Sequence, residues 1–208
     1  DEAAIVAALG RTCAGGTKGA AWTHSDAGTR WADRCLSAFG AGWLSGQRVG
    51  VWMQSAVSRD LLAGVLAKLG ATVMTYGRSE TFVPVDTEAL SGEVRRKIRD
   101  LVLGQRLDAL VSTDGDGDRP LLADGAGQVI AGDVLGQITA AVVGADGIVT
   151  PVTSNSGAGA GNPAVTVVRT RVGSPYVIAG MARLGGRIVG YEANGGFLLG
   201  FDADLPAG

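Results

Sequence analysis

Val49-Gly50-Val51-Trp52-Met53, Ala71-Thr72-Val73-Met74-Thr75 and Asp108-Ala109-Leu110-Val111-Ser112-Thr113 are three short apolar runs with two helical patterns between them. The first run is short and continuous, as a buried strand requires. After it, Val57, Leu61, Leu62, Val65 and Leu69 fall on one face of a helix that Ser55 or Ser58 can cap and Gly70 ends. After a loop over residues 77–84, the spacing predicts a helix over about residues 87–103, stopped by Gly104. Strand, helix, strand, helix, strand at this spacing is a βαβαβ unit, hence a parallel sheet with right-handed crossovers.

Upstream, Trp31, Cys35, Leu36 and Phe39 recur at helical spacing within residues 28–39. Residues 1–20 carry Ile5, Val6 and Leu9 and then Gly15-Gly16-Thr17-Lys18-Gly19, which read as the tail of a preceding unit. Downstream, residues 120–122 and 128–130 flank Asp124-Gly125-Ala126-Gly127, a hairpin signal. A second unit then opens: a helix capped by Asp133 and running to Val143, a strand over 147–152, a flexible loop over 154–162 and a strand over 165–171. A helix from Ser174 or Pro175 to about Leu184 and a strand over 187–191 complete it. No helical pattern follows the last hairpin, so this second unit is expected to be cut short.

Composition narrows the classes. Of 208 residues, 46% are hydrophobic and 18% charged, the balance of a globular protein with a sizeable core. The formal net charge of −2 does not point to nucleic acid or an anionic membrane. Arg95, Arg96, Lys97 and Arg99 cluster, but Val94, Ile98, Leu101 and Val102 interleave at spacing 3–4, which describes a solvated helix face. Thirty-four glycines, more than twice the usual ~7%, indicate tight turns and close backbone approaches. Cys13 and Cys35 form no CxxC pair, which argues for a reducing, cytoplasmic setting and against zinc or a disulfide framework. No apolar run approaches the ~18 residues of a membrane span, and the N-terminus lacks the basic start of a signal peptide.

The third strand leads directly into Asp114-Gly115-Asp116-Gly117-Asp118. The carboxyl ends of parallel strands are where such sheets bind ligands. Two carboxylates about 4 Å apart repel by roughly 4 kcal/mol at an effective dielectric near 20, so three of them call for a counter-charge. Gly115 and Gly117 let the backbone curl and turn the carboxylates inward. Hard oxygen donors suit Mg²⁺, Mn²⁺ or Ca²⁺. A calcium loop begun at Asp114 needs Gly at position 6 and Glu at position 12, where Arg119 and Gly125 stand, so Mg²⁺ fits better. The competing reading is an Asp/Gly turn with solvated carboxylates, and Arg119 has its own competing reading as a structural salt bridge.

Residues 112–120, Ser-Thr-Asp-Gly-Asp-Gly-Asp-Arg-Pro, resemble the metal loop of the α-D-phosphohexomutases. Further stretches resemble the bacterial phosphomannomutase branch in the same order: residues 48–51 with 55–57, 77–88, 170–175 and 190–197. The resemblance covers about residues 20–208. It implies an α/β protein of two consecutive α/β/α domains with mixed, largely parallel sheets. Domain II would occupy residues 21–131 and domain III residues 132–208, the latter truncated, after a linker over 1–20. It implies Mg²⁺ on Asp114, Asp116 and Asp118, and Arg119 on phosphate. Glu192, Asn194, Gly195 and Gly173 would form the sugar site, Glu192 accepting from adjacent hexose hydroxyls. Ala193, Asn194 and Gly196 depart from the usual Gly-Glu-Glu-Ser-Gly-His, and Asn-Gly-Gly alone also reads as a plain hairpin turn.

The activity implied is interconversion of hexose 6-phosphate and hexose 1-phosphate through a phosphoserine and a hexose 1,6-bisphosphate. The family's nucleophilic serine stands in a Thr-Ala-Ser-His-Asn-Pro-like segment, and these 208 residues hold no such segment. His24, the single histidine, reads as a surface or interdomain residue, and Ser112 and Ser154 have no identifiable base. The chain alone is therefore expected to bind Mg²⁺ weakly and to be inactive, its partners being hexose phosphates and the first and fourth domains of the same enzyme. The alternatives are a non-catalytic metal- and sugar-phosphate-binding relic, and phosphoglucomutase or phosphoglucosamine mutase specificity.

Overall fold

The computed structural model describes residues 2–11 and 23–204. The elements run α1 (Glu2–Ala8), α2 (Ala27–Phe39), β1 (Arg48–Trp52), α3 (Arg59–Lys68), β2 (Thr72–Tyr76), α4 (Gly92–Gln105), β3 (Ala109–Thr113), β4 (Pro120–Asp124) and β5 (Val129–Ile130). They continue with α5 (Gly132–Val142), β6 (Gly147–Pro151), β7 (Thr166–Thr170), α6 (Ser174–Met181), β8 (Ile188–Tyr191) and β9 (Phe197–Leu199). The strands form two sheets, ordered β2-β1-β3-β4-β5 and β7-β6-β8-β9.

The sheets share one plan. In each, the first strand lies between the second and third, parallel to both, and the fourth returns antiparallel beside the third. Both are mixed sheets covered by helices, and the chain is two consecutive α/β/α units. In the first sheet, Gly50 leaves room for Leu107 and Leu110, which join Ile98 and Val102 of α4 in one core. Val65 of α3 and Leu69 at its C-cap pack with Ala32 of α2. In the second unit Ala140 of α5 and the following Val143 cover Ile148 and Val189, while Val177 of α6 covers Val149 and Ile188.

Arginines tie the ends opposite the hairpin loops in both units. Arg48 donates to the Gln105 and Arg106 carbonyls at the end of α4, and its N–H donates to Asp108 Oδ2 (2.7 Å). Arg187 donates to the Val143 and Gly144 carbonyls at the end of α5, and its N–H to Asp146 Oδ2 (3.1 Å). A cation on a helix C-terminus meets both its unpaired carbonyls and its dipole.

Several expectations shift. Helix α4 begins at Gly92 rather than near residue 87, because Asp86 Oδ1 accepts from the Glu88 and Ala89 N–H groups and Ser91 caps Val94. These side-chain acceptors compete with the first helical turn. Gly104 lies inside the helix, and Arg106 takes the left-handed turn instead, at φ 52°. Val57 precedes α3 and is 76% exposed rather than on its core face. Neither Ser55 nor Ser58 caps α3 with its side chain: Ser55 Oγ accepts from Val83 N–H, and Ser58 Oγ meets Thr113. Asp133 is buried in the first turn of α5 behind the N-cap Ala131 and accepts from Asn155 N–H (2.7 Å).

The loop over 154–162 is held, not loose. Arg169 donates to the Pro151, Ser154 and Asn155 carbonyls, and Gln137 to that of Gly157. Arg95, Arg96, Lys97 and Arg99 are exposed on α4, as a solvated face requires. The loop over 15–19 and Cys13 lie outside the described residues. Among the described residues, no helix is long and apolar enough to cross a membrane.

Candidate active site

Pairing Thr113 with Pro120 makes residues 114–119 the loop of the β3–β4 hairpin; pairing Tyr191 with Phe197 makes 192–196 that of the β8–β9 hairpin. The first loop closes where the Asp114 N–H donates to the Arg119 carbonyl (3.1 Å). Asp114 Oδ1 accepts from the Gly117 and Arg119 N–H groups, at 3.1 and 3.3 Å. Gly117 has φ 89°, and a Cβ there would stand 3.0 Å from Ser58 Cβ, so both conformation and space require glycine.

The loop rests on a hydroxyl chain. Thr113 Oγ1 donates to the Asp114 carbonyl (2.9 Å), so in its 2.8 Å contact with Ser58 Oγ the proton comes from Ser58. Beneath lies Gln54, 1% exposed and at φ 36°, whose amide nitrogen donates to the Thr113 carbonyl. A glutamine at positive φ is uncommon, and this one stands two residues past the end of β1.

Asp114 is buried, whereas Asp116 and Asp118 are exposed. One oxygen from each of the three lies within 4.8 Å of the others. Arg119 Nε is 3.9 Å from both Asp114 Oδ2 and Asp118 Oδ1, beyond hydrogen-bond reach. Arg119 thus forms loose ion pairs with Asp114 and Asp118 without a hydrogen bond to either, and its single charge leaves the triad short of positive charge. Three carboxylates with unshared oxygens match a small, hard divalent cation.

The second loop is internally satisfied. The Glu192 N–H donates to the Gly196 carbonyl (3.0 Å), and the Gly195 N–H to the Glu192 carbonyl (3.1 Å). Asn194 Oδ1 accepts from the Gly196 N–H (2.8 Å). Glu192 Oε1 accepts from the Gly173 N–H (3.2 Å) at the start of α6, a place favourable to a carboxylate. Gly173 therefore orients Glu192 through its main chain.

The fold brings the two loops together. Asp118 and Arg119 line a cleft of about 270 Å³ with Glu192, Asn194, Gly196 and Ser174. Its apolar wall is made by Val177, Tyr191, Phe197 and Leu198. Burial pushes the Tyr191 phenol up, with Arg169 opposing and Asp133 reinforcing the shift, so the ring stays neutral. Asp114, Gly115 and Asp116 of the same loop also line a wider hollow of about 600 Å³ edged by Val57 and Phe82.

Two family models match the chain in succession and meet in the β4–β5 turn. The phosphoglucomutase/phosphomannomutase alpha/beta/alpha domain II matches residues 31–127, and alpha/beta/alpha domain III matches residues 126–204. The chain belongs to the phosphoglucomutase/phosphomannomutase family. It is 46% identical over 172 residues to a phosphomannomutase of Salmonella muenchen, covering 81% of this chain and 36% of that one. It is 48% identical over 173 residues to a phosphomannomutase of Sinorhizobium fredii, covering 79% and 36%. The chain thus spans little more than a third of these curated relatives. Among solved structures, a phosphoglucomutase/phosphomannomutase family protein of Burkholderia thailandensis matches with a TM-score of 0.69 at 14% identity, over 86% of this chain and 41% of that one.

The sequence-predicted residues of this family site divide by place. Asp118, Arg119, Glu192 and Asn194 share the cleft, whereas Asp114 and Asp116 line the hollow behind it. Gly195 sits at the turn of the second loop with φ 95°, against Pro120. His24 is exposed beside α2. Sequence reasoning did not find Ser174 in the cleft, nor Gln54, Ser58 and Thr113 under the three-carboxylate loop. Serine at the start of a helix signalled a cap, and nothing local marks Gln54.

Proposed function

We propose that the chain supplies the metal site and the hexose site of an enzyme interconverting hexose 6-phosphate and hexose 1-phosphate, with mannose phosphate as the preferred substrate. The observation that carries this is the shared cleft, in which Asp118 and Arg119 of one unit face Glu192 and Asn194 of the other. Arg119 presents its planar fork to phosphate oxygens, a geometry that lysine does not offer. Glu192, held by the Gly173 N–H through one oxygen, keeps the other for adjacent sugar hydroxyls. The Asn194 side chain is braced by Gly196 and bounds the ring on one side. Phe197 and Leu198 exclude water from the ring's apolar face.

Asp114, Asp116 and Asp118 would hold Mg²⁺, which when bound supplies positive charge against the negative charge gathering on a transferring phosphoryl group. The resemblance to the family supports the remainder of the cycle: a phosphoserine outside these 208 residues donates its phosphoryl group, a hexose 1,6-bisphosphate forms and reorients, and a phosphoryl group returns to serine. The relatives named phosphomannomutase support the choice of sugar. Two well-separated cysteines support a reducing, cytoplasmic setting.

Calorimetry and amide NMR of the chain test the reading. Mg²⁺ is expected to perturb Asp114–Asp118, and mannose 6-phosphate to perturb Glu192–Gly196, with no turnover from the chain by itself. Unmoved resonances in both loops at millimolar Mg²⁺ and sugar phosphate would overturn it.

A further inference from the structure

The segment 84–90 is part of the 77–88 resemblance, yet it touches neither metal nor sugar in the function proposed above. It is nonetheless built. Val85 and Leu90 anchor it on the first core, and between them Asp86 Oδ1 takes the Glu88 and Ala89 N–H groups, closing a turn. What that turn presents is Thr87. Its Oγ1 donates to the Asn194 carbonyl (3.0 Å), across 107 residues and from the first unit to the second.

Asn194 is the point at which the second hairpin loop reverses. Its side chain braces the Gly196 N–H, and the next residue, Gly195, lies at φ 95° with Pro120 beneath it. Pro120 follows Arg119 directly. The loop is therefore held by Thr87 at its tip and by the stem of the metal loop below.

We infer that Thr87 is a positioning residue for the hexose-binding loop: through the Asn194 carbonyl it sets where Glu192 and Asn194 stand relative to Arg119. This rests on the reading of the cleft as a hexose phosphate site. A threonine suits the task, because its β-branched side chain has few rotamers and its hydroxyl needs only one acceptor.

The test compares Thr87→Val, which keeps the shape and removes the donor, with Thr87→Ser, which keeps the donor. In the 208-residue chain, Thr87→Val is expected to weaken mannose 6-phosphate binding about fivefold, the scale of one hydrogen bond. Hydrogen exchange at the Gly195 and Gly196 amides should speed up by a similar factor, with Mg²⁺ affinity unchanged. Thr87→Ser should restore both. A merely structural threonine would lower the melting temperature and Mg²⁺ affinity along with sugar binding. That result, or wild-type exchange at Gly195 and Gly196 in Thr87→Val, would overturn the inference. Should the unaltered chain bind no mannose 6-phosphate, the proposed function would fall, and amide exchange would still decide the role of Thr87.

Discussion

The β3–β4 and β8–β9 hairpin loops occupy the same place in two copies of one sheet plan, yet they are finished in opposite ways. The first gathers three carboxylates, satisfies only one oxygen by hydrogen bonds, and leaves its nearest arginine at 3.9 Å. The second carries one carboxylate and one amide, and places both on main-chain N–H groups. The first keeps most of its carboxylate oxygens free of protein donors; the second is a polar turn whose side chains are held by its own main chain and by Gly173. Fold position alone does not assign chemistry. What distinguishes the loops is how much of their hydrogen-bonding capacity the protein itself consumes.

The sharpest way to break this contrast is to remove charge from the first loop. The double variant Asp116→Asn/Asp118→Asn should lose more than about 100-fold in Mg²⁺ affinity by calorimetry. Both side chains are exposed, so the melting temperature should hold. Metal binding that survives intact would mean the triad is only a solvated turn.

Next in size come the glycines at the turns. Gly117→Ala meets Ser58 and Gly195→Ala meets Pro120, each from a positive φ. Each is expected to cost about 1–3 kcal/mol in urea unfolding. The first should also depress Mg²⁺ binding and the second sugar phosphate binding. Equal effects of both variants on both ligands would dissolve the distinction between the loops.

The smallest expected effect is that of Glu192→Gln. Its contact with Gly173 survives through the amide oxygen, while the charge offered to sugar hydroxyls is gone. Mannose 6-phosphate should bind roughly tenfold more weakly, in keeping with a charged hydrogen bond worth about 1.5 kcal/mol, and Mg²⁺ should be unaffected. A loss of Mg²⁺ affinity here would show that the loops are not chemically separate.

Much of this was legible in residues that act through local pattern. The apolar runs near Val49, Val73 and Leu110 marked the strands, and the alternation of aspartate with glycine after Thr113 marked the cluster of three carboxylates. Features built on side chains that compete with the backbone were hidden. Asp86 and Ser91 delay α4, and Asp133, which looked like a cap, instead holds the loop at Asn155. Contacts between distant segments were hidden as well. Neither Ser58 on Thr113 nor Thr87 on Asn194 leaves a mark within any short window of sequence.

Where α5 begins, Gly132 lies against the Ala193 carbonyl and the Gly195 nitrogen, with no room for even a methyl group. Main chain abuts main chain there, so within the second unit the β8–β9 loop is seated on the start of α5 without a compressible side chain as a gasket. On the proposed reaction, a sugar that must offer first one end and then the other finds this loop seated at a fixed place on its own unit. The swivelling then falls to the guest.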